Sequence, residues 1–260
     1  MTPHVWIVRY GELALKGGNR NYFEKRLVQN IRFCLRYSQV PYERIVRVRG
    51  RILVYTEADC TPLKTVFGIS SFSPALEVPA EMQALTEAAL QVPLHGSFKI
   101  ATHRLDKSFP LTSQQVNERV GAALQSSTGA PVDLTHPDTT LGIEILKDVA
   151  YLFTDTSPGL RGLPVGTSGT VAVLLENERS LTAAYLMLKR GCIPVFVGDP
   201  SLDCTPLEKY LHRPVRVVRD IPSGIEAVVV ADTLDAYQDR DLPFPIFRPL
   251  LGYPTTLKLP

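Results

Sequence analysis

At 260 residues, 45% hydrophobic and 21% charged, the chain has an ordinary globular composition and enough length for two or three small domains with substantial cores. No apolar run approaches the ~20 residues of a membrane span and no signal-peptide pattern opens the chain, so no membrane role is expected, and four cysteines without Cys-x-x-Cys spacing lead to the expectation of a reducing, cytoplasmic setting. Net charge is only +2 but uneven: residues 1–56 carry 11 Lys and Arg against 3 Glu, a net of +8, and the remainder carries 17 basic against 23 acidic residues, a net of −6.

The basic N-terminal segment is an electrostatic footprint for a polyanion, because sequence-independent nucleic-acid affinity comes from Lys and Arg neutralising phosphates. Within it, residues 5–10 read as a strand and 11–19 as a turn-rich connection. Residues 21–36 are amphipathic, with Phe23, Leu27, Ile31 and Leu35 on one helical stripe. Residues 45–48 and 51–55 read as strands joined at Arg49-Gly50, residues 62–67 as a short helix with proline in its first turn, and 71–78 as a closing strand. The order β-α-β-β-α-β predicts a ferredoxin-like domain over residues 1–75. Lys16, Arg20, Lys25 and Arg26 cluster on the turn and helix start, and Arg44, Arg47, Arg49 and Arg51 lie along the hairpin. A solvated charged face is the plainer explanation for any one of these runs; so much one-signed charge in one small domain favours an RNA surface, with Lys16, Arg20, Arg47, Arg49 and Arg51 as candidate phosphate contacts. In extended backbone Arg47, Arg49 and Arg51 share one face unless the turn at Gly50 breaks the alternation.

The middle segment, residues 76–165, begins with a helix over 82–90 and a strand over 98–102. A helix over 112–125 follows, capped by Thr112 or Ser113, with Val116, Val120 and Leu124 on its apolar stripe. Residues 141–146 and 150–153 are strands joined at Lys147-Asp148. Phe109 reads as a packing residue and His103 as a surface one. Residues 57–156 hold 6 basic and 12 acidic residues, so an RNA face here is local and depends on help from the first domain.

Residues 157–169 form a glycine- and proline-rich joint. Residues 171–175 are a continuous apolar run of the kind buried parallel strands show. A loop, Glu176-Asn-Glu-Arg-Ser180, leads to a helix over 181–190, with Ser180 as N-cap and Gly191 as the stop. The strand at 193–197 and the segments 207–211, 215–218 and 227–230 continue an alternating pattern that predicts an open parallel sheet over residues 166–260. In a nucleotide-binding unit of this type the loop after the first strand holds phosphates, which requires glycines and a helix N-terminus free of negative charge. Here Glu176, Asn177, Glu178, Arg179 and Ser180 supply no glycine and two carboxylates, each costing about 1–4 kcal/mol near a phosphate. Arg179 does not clearly outweigh both. Asp199, Asp203, Asp232 and Asp235 sit in loops after strands and read as turn residues before paired acids. Cys34, Cys60, Cys192 and Cys204 lack Cys-x-x-Cys spacing, and the five histidines are dispersed, so neither a disulfide framework nor a metal site is expected.

Three strings carry a family resemblance. Arg9-Tyr-Gly-Glu-Leu-Ala-Leu-Lys-Gly-Gly-Asn-Arg20 resembles the N-terminal ferredoxin-like domain of the tRNA 4-thiouridine synthetases. Phe98-Lys-Ile-Ala-Thr-His-Arg-Leu-Asp-Lys-Ser-Phe-Pro-Leu-Thr-Ser113 resembles the THUMP domain, an RNA-binding module. Gly162-Leu-Pro-Val-Gly-Thr-Ser-Gly169 with the following apolar strand, helix and Phe247-Arg-Pro-Leu-Leu-Gly252 resembles that family's PP-loop domain. The resemblance implies an α/β chain, α+β in its N-terminal part, of ferredoxin-like, THUMP and shortened PP-loop-like domains. It implies tRNA held by its acceptor end, Lys99, Arg104 and Lys107 as phosphate contacts, and a homodimer. The departure is at the nucleotide loop, where the family's Ser-Gly-Gly-x-Asp-Ser is absent, and no cysteine matches a sulfur-carrying position. The expected function is therefore a non-catalytic tRNA-binding relative, without cofactor or catalytic residues, that positions tRNA for a separate modification enzyme. The alternatives are a sulfurtransferase or adenylating enzyme with an atypical or partner-completed site, and a dimeric scaffold without RNA affinity.

Overall fold

The alternating and continuous apolar runs of the sequence become strands in the computed structural model, which describes residues 4–11 and 17–254 together with Leu257 and Leu259. In chain order the elements are β1 (Val5–Arg9), α1 (Arg20–Tyr37), β2 (Arg44–Val48), β3 (Arg51–Tyr55), β4 (Ser71–Pro79), α2 (Met82–Leu90), β5 (Phe98–Arg104), α3 (Ser113–Thr128), β6 (Thr139–Leu146), β7 (Val149–Phe153) and β8 (Ser157–Pro158). They continue with β9 (Thr170–Leu175), α4 (Arg179–Lys189), β10 (Ile193–Gly198), α5 (Glu208–Leu211), β11 (Val217–Val218), β12 (Ala227–Val229) and β13 (Ile246–Phe247). Two compact units result. One contains β1, Pro41–Asp59 and Ser71–Pro158; the other contains Tyr10–Val40, Cys60–Ser70 and the chain from Gly159 onward.

The first unit is built on one sheet in the order β2-β3-β1-β4-β7-β6-β5, with β8 paired to β4. Pairing is antiparallel except between β5 and β6, which run parallel in the register Phe98↔Thr139. One face of the β5–β7 region packs on α2 and α3 through Leu85, Phe98, Val116, Val120, Leu124 and Ile143, all fully buried. The other face gathers Val5, Ile7, Leu53, Ala75, Leu146 and Tyr151. The helix α3 starts where its sequence says it should. The Thr112 hydroxyl accepts from the Gln115 amide at 3.2 Å, and the Gln115 side chain accepts from the Thr112 amide at 2.9 Å. This reciprocal capping box satisfies two orphan donors of the first turn, and Gly129, at φ +69°, ends the helix in the left-handed region.

In the second unit the sheet is wholly parallel, in the order β11-β10-β9-β12-β13. The apolar run of β9 is its centre, which explains why that strand lacks polar alternation. From β9 the chain winds outward through β10 and β11, then crosses back to β12 and β13, so the strand order reverses between β9 and β12. The helix α1 belongs here because its side chains bind this unit: Asn30 Nδ2 donates to the Val165 carbonyl and Tyr22 Oη to the Gly166 carbonyl, each at 3.1 Å. Phe67, Tyr185 and Tyr210 form an aromatic trio with centroid distances of 5.1–5.7 Å, fixing the 60–70 segment against α4. Gly191, at φ +89°, closes α4, and its carbonyl accepts from the amides of Gly166, Thr167 and Ser168.

Two local expectations are corrected. Residues 61–65 form a 3-10 turn in place of an α-helix, and only Val217–Val218 of the 215–218 segment pairs as a strand. Among the described residues no helix is long and apolar enough to cross a membrane.

Candidate functional site

The reversal of strand order between β9 and β12 makes the C-terminal edge of these strands the crevice where open α/β sheets take ligands. The loop at that crevice bonds most of its own donors internally. Ser180 does not cap α4; it lies inside the first turn, fully buried, and its hydroxyl accepts from the Glu176 amide at 3.1 Å and, more weakly, the Asn177 amide at 3.5 Å. The Asn177 side chain accepts from the Arg179 amide at 2.9 Å, and the Ser180 and Leu181 amides bond to the carbonyls of Asn177 and Glu178. A phosphate-binding loop presents these same N–H groups outward. Glu176, Asn177, Glu178, Arg179 and Ser180 thus form a closed, self-bonded loop.

Sequence reasoning missed what holds this edge. Asp232, just beyond β12 and 3% exposed, accepts from Arg240 and from Arg248 Nε, each at 3.0 Å. Arg240 also grips Glu176, with its second bond at 2.9 Å, and this hydrogen bond is the first cause of the raised Arg240 pKa. Arg248 stacks over the Tyr237 ring at 4.7 Å and donates to the Gln238 carbonyl. Two carboxylates and two guanidiniums therefore neutralise one another at this edge. Asp199 and Asp203 are turn residues as expected, accepting from the amides of Ser201 and Thr205 at 2.9 Å. Asp232 is not: the partners that bury it lie 8 and 16 residues away.

The candidate RNA residues differ in burial and in their internal partners. Arg51 is engaged: its guanidinium and that of Arg9 each reach Glu144 at 2.7 Å, on a carboxylate 4% exposed. Burial pushes the Glu144 carboxyl up, but the Arg51 hydrogen bonds and the charges of Arg9 and Arg51 outweigh it and hold it below the usual range. Arg9 further donates to the Ser73 hydroxyl and lies 4.5 Å over the Phe153 ring. Arg104 is engaged too. It donates to the carbonyls of Phe109 and Leu111 at 3.2 and 2.8 Å, pinning the loop around Phe109, which is buried as a packing residue. Arg20 bonds Glu24 at 2.7 Å and reaches the Tyr10 hydroxyl.

Exposed positions are held by Arg47, Arg49, Lys107 and His103, while Lys99 is half-buried. Among the described residues the ammonium groups of Lys99 and Lys107 have no ion-pair partner. The hairpin turn breaks the face-sharing of the three arginines: Val48 pairs with Arg51 and Arg47 with Ile52, so Arg47 and Arg51 point to opposite faces. Lys99 and Arg104, five residues apart on β5, also lie on opposite faces. Lys16 lies outside the described residues. Among the described residues no cluster of His, Cys, Asp or Glu is placed to hold a metal ion. The four cysteines are free and buried, and burial pushes Cys34 up to about 11 and raises Cys192 and Cys204.

Residues 5–73 match the ThiI ferredoxin-like domain and residues 79–155 the THUMP domain. The chain belongs to the ThiI family. A probable tRNA sulfurtransferase of Moorella thermoacetica is 41% identical to this ThiI-family chain over 194 residues, 71% of the chain and 49% of that protein. The chain spans about half the length of the curated relatives it matches. PH1313 from Pyrococcus horikoshii, known from a crystal structure, is 31% identical and superimposes with a TM-score of 0.86, covering 96% of this chain and 95% of that one. A 4-thiouridine synthetase solved as an RNA complex with bound ATP shares the fold at a TM-score of 0.75 and 23% identity, over 96% of this chain and 82% of that one. This likeness extends the shared fold across the parallel sheet as well as the two matched domains.

Proposed function

We propose that this ThiI-family chain is a cytoplasmic tRNA-binding protein that holds the acceptor end of tRNA as a homodimer and positions it for a separate modification enzyme, without activating it by ATP. Its functional division follows residues 1–75, 76–165 and 166–260, with tRNA held by the first two. The ThiI ferredoxin-like and THUMP matches and the tRNA sulfurtransferase names of its relatives support the RNA part. Lys99, Lys107 and Arg49 are the contacts that the geometry favours, since Arg51 and Arg104 are committed to internal partners. The loop after β9 carries the non-catalytic part: its amides are bonded within the loop and Glu176 is clamped by Arg240.

The test is a thermal melt with millimolar Mg-ATP beside a titration of tRNA. Binding at 100 times Kd stabilises a protein by about 2.7 kcal/mol, so a nucleotide site is readily seen. The reading expects no ATP shift, and tRNA affinity that falls steeply with salt and is weakened by Lys99→Ala with Lys107→Ala. Turnover of ATP to AMP in the presence of tRNA overturns it. One observation favours the atypical-enzyme alternative: Thr233 Oγ1 and Arg240 Nε are buried at this edge with no hydrogen-bond partner among the described residues, as in a site awaiting a polar ligand. That alternative predicts the ATP-dependent shift that the first excludes.

A further inference from the structure

The parallel sheet ends on one side at β11, and the segment leading into it is basic. Residues 209–219 contain Lys209, Arg213, Arg216 and Arg219 and no carboxylate. Arg213, Arg216 and Arg219 are exposed, and among the described residues none has a hydrogen-bond or ion-pair partner for its side chain. This separates them from Arg9, Arg51, Arg104, Arg240 and Arg248, whose guanidiniums are all engaged internally. The acids at either end of the segment do not neutralise it. Glu208 accepts from the Val215 amide at 2.9 Å, which ties its carboxylate to the backbone, and Asp220 lies beyond the strand.

Arg213 and Arg216 both line a cleft of about 440 Å³ whose remaining walls are apolar, among them Phe196, Leu211, Pro214 and Val215. The β11 register Phe196↔Val217 and Val197↔Val218 holds the segment against β10, so the cleft is formed by paired backbone. Arg213, Arg216 and Arg219 recur every third residue through the segment that carries β11, each of them exposed. Charged side chains on an edge strand also guard against edge-to-edge association. A guard, however, does not require two arginines to line an apolar cleft. Cations along an edge beside an apolar slot match an unpaired RNA strand, whose phosphates take Arg and whose unstacked bases seek apolar or guanidinium surfaces.

We propose that this edge is a separate RNA contact on the parallel-sheet domain, in which Arg213, Arg216 and Arg219 bind phosphates of a single-stranded segment and the cleft receives one of its bases. The inference rests on the tRNA-binding reading above and adds a surface to it. The experiment titrates labelled tRNA at several salt concentrations with the full chain, with Arg213→Gln, Arg216→Gln and Arg219→Gln combined, and with the Lys99→Ala, Lys107→Ala pair. Glutamine keeps the edge polar, and a melt confirms that the variant is folded. Each lost phosphate contact lowers the salt slope by about 0.7–0.9, so the triple variant should lose about 2–3 units of slope and bind at least tenfold more weakly at low salt. Ultraviolet crosslinking of the unmodified chain to tRNA should mark peptides within residues 209–219. Equal affinity and slope for the triple variant and the parent, with no crosslink there, overturns this inference and leaves the tRNA-binding reading standing. Absence of tRNA binding by the parent at low salt overturns both.

Discussion

Glu144 joins two guanidiniums on one face of a sheet, and its carboxylate pairs with Arg9 and Arg51 on largely buried side chains. Breaking a buried ion network by removing one partner costs about 3–5 kcal/mol, because the remaining charge stays desolvated. Glu144→Ala should therefore lower the unfolding free energy by about that amount in a denaturant titration, with Arg51→Ala affecting stability more than RNA affinity. In the sequence Arg51 is one basic residue among many; its partner lies 93 positions away and nothing local announces it. The same holds for Asp232, whose role depends on Arg240 and Arg248 folding back over the end of β12. Residue type and spacing reveal a loop without glycine and with two carboxylates, because these act on their immediate neighbours. They do not reveal the grip of Arg240 and Arg248 beside it, because that depends on tertiary contacts.

At the scale of elements the sequence was more informative. The stripe of Val116, Val120 and Leu124 and the Thr112 cap predicted α3, and all three apolar residues are fully buried. The apolar run at 171–175 predicted the central strand β9. Caps and periodicity are local physics and can be read locally. Ser180 shows the limit: a serine before an apolar helix has the chemistry of an N-cap, yet here the helix begins two residues earlier than expected, at Arg179, and the hydroxyl turns back to the loop amides. Since the Thr112 capping box supplies two reciprocal bonds, Thr112→Ala should destabilise the chain by about 1 kcal/mol, measured as a lower denaturant midpoint with an unchanged slope.

At the scale of the whole molecule, the two units bring different acid sensitivities. His212 is pushed down to about 4 by burial, and its ring meets the Thr65 hydroxyl at 3.0 Å. Above its ordinary value of 6.5 neither folded nor unfolded chain binds the proton, and its contribution to stability is fully present. As pH falls from 6.5 towards 4, the unfolded chain takes the proton and the folded one refuses it, so stability declines across that window. Glu144, a depressed carboxylate, acts lower: its contribution is present above the ordinary carboxylate pKa and is lost as pH falls through the lowered folded value. The melting midpoint should therefore begin to fall near pH 6.5, well before carboxylates titrate. His212→Asn should flatten that early decline, since asparagine tolerates the residue's φ of +54° and carries no titrating proton.

β4 pairs with β1 on one side and β7 on the other. The ferredoxin-like match ends at residue 73 and the THUMP match begins at residue 79, so most of this strand lies between the two matched segments. Neither segment can be copied, exchanged or excised without taking this seam or leaving its neighbour with a bare sheet edge. Recombination within residues 71–79 would break both partners at once, which gives the two modules a reason to travel through evolution as a single heritable block.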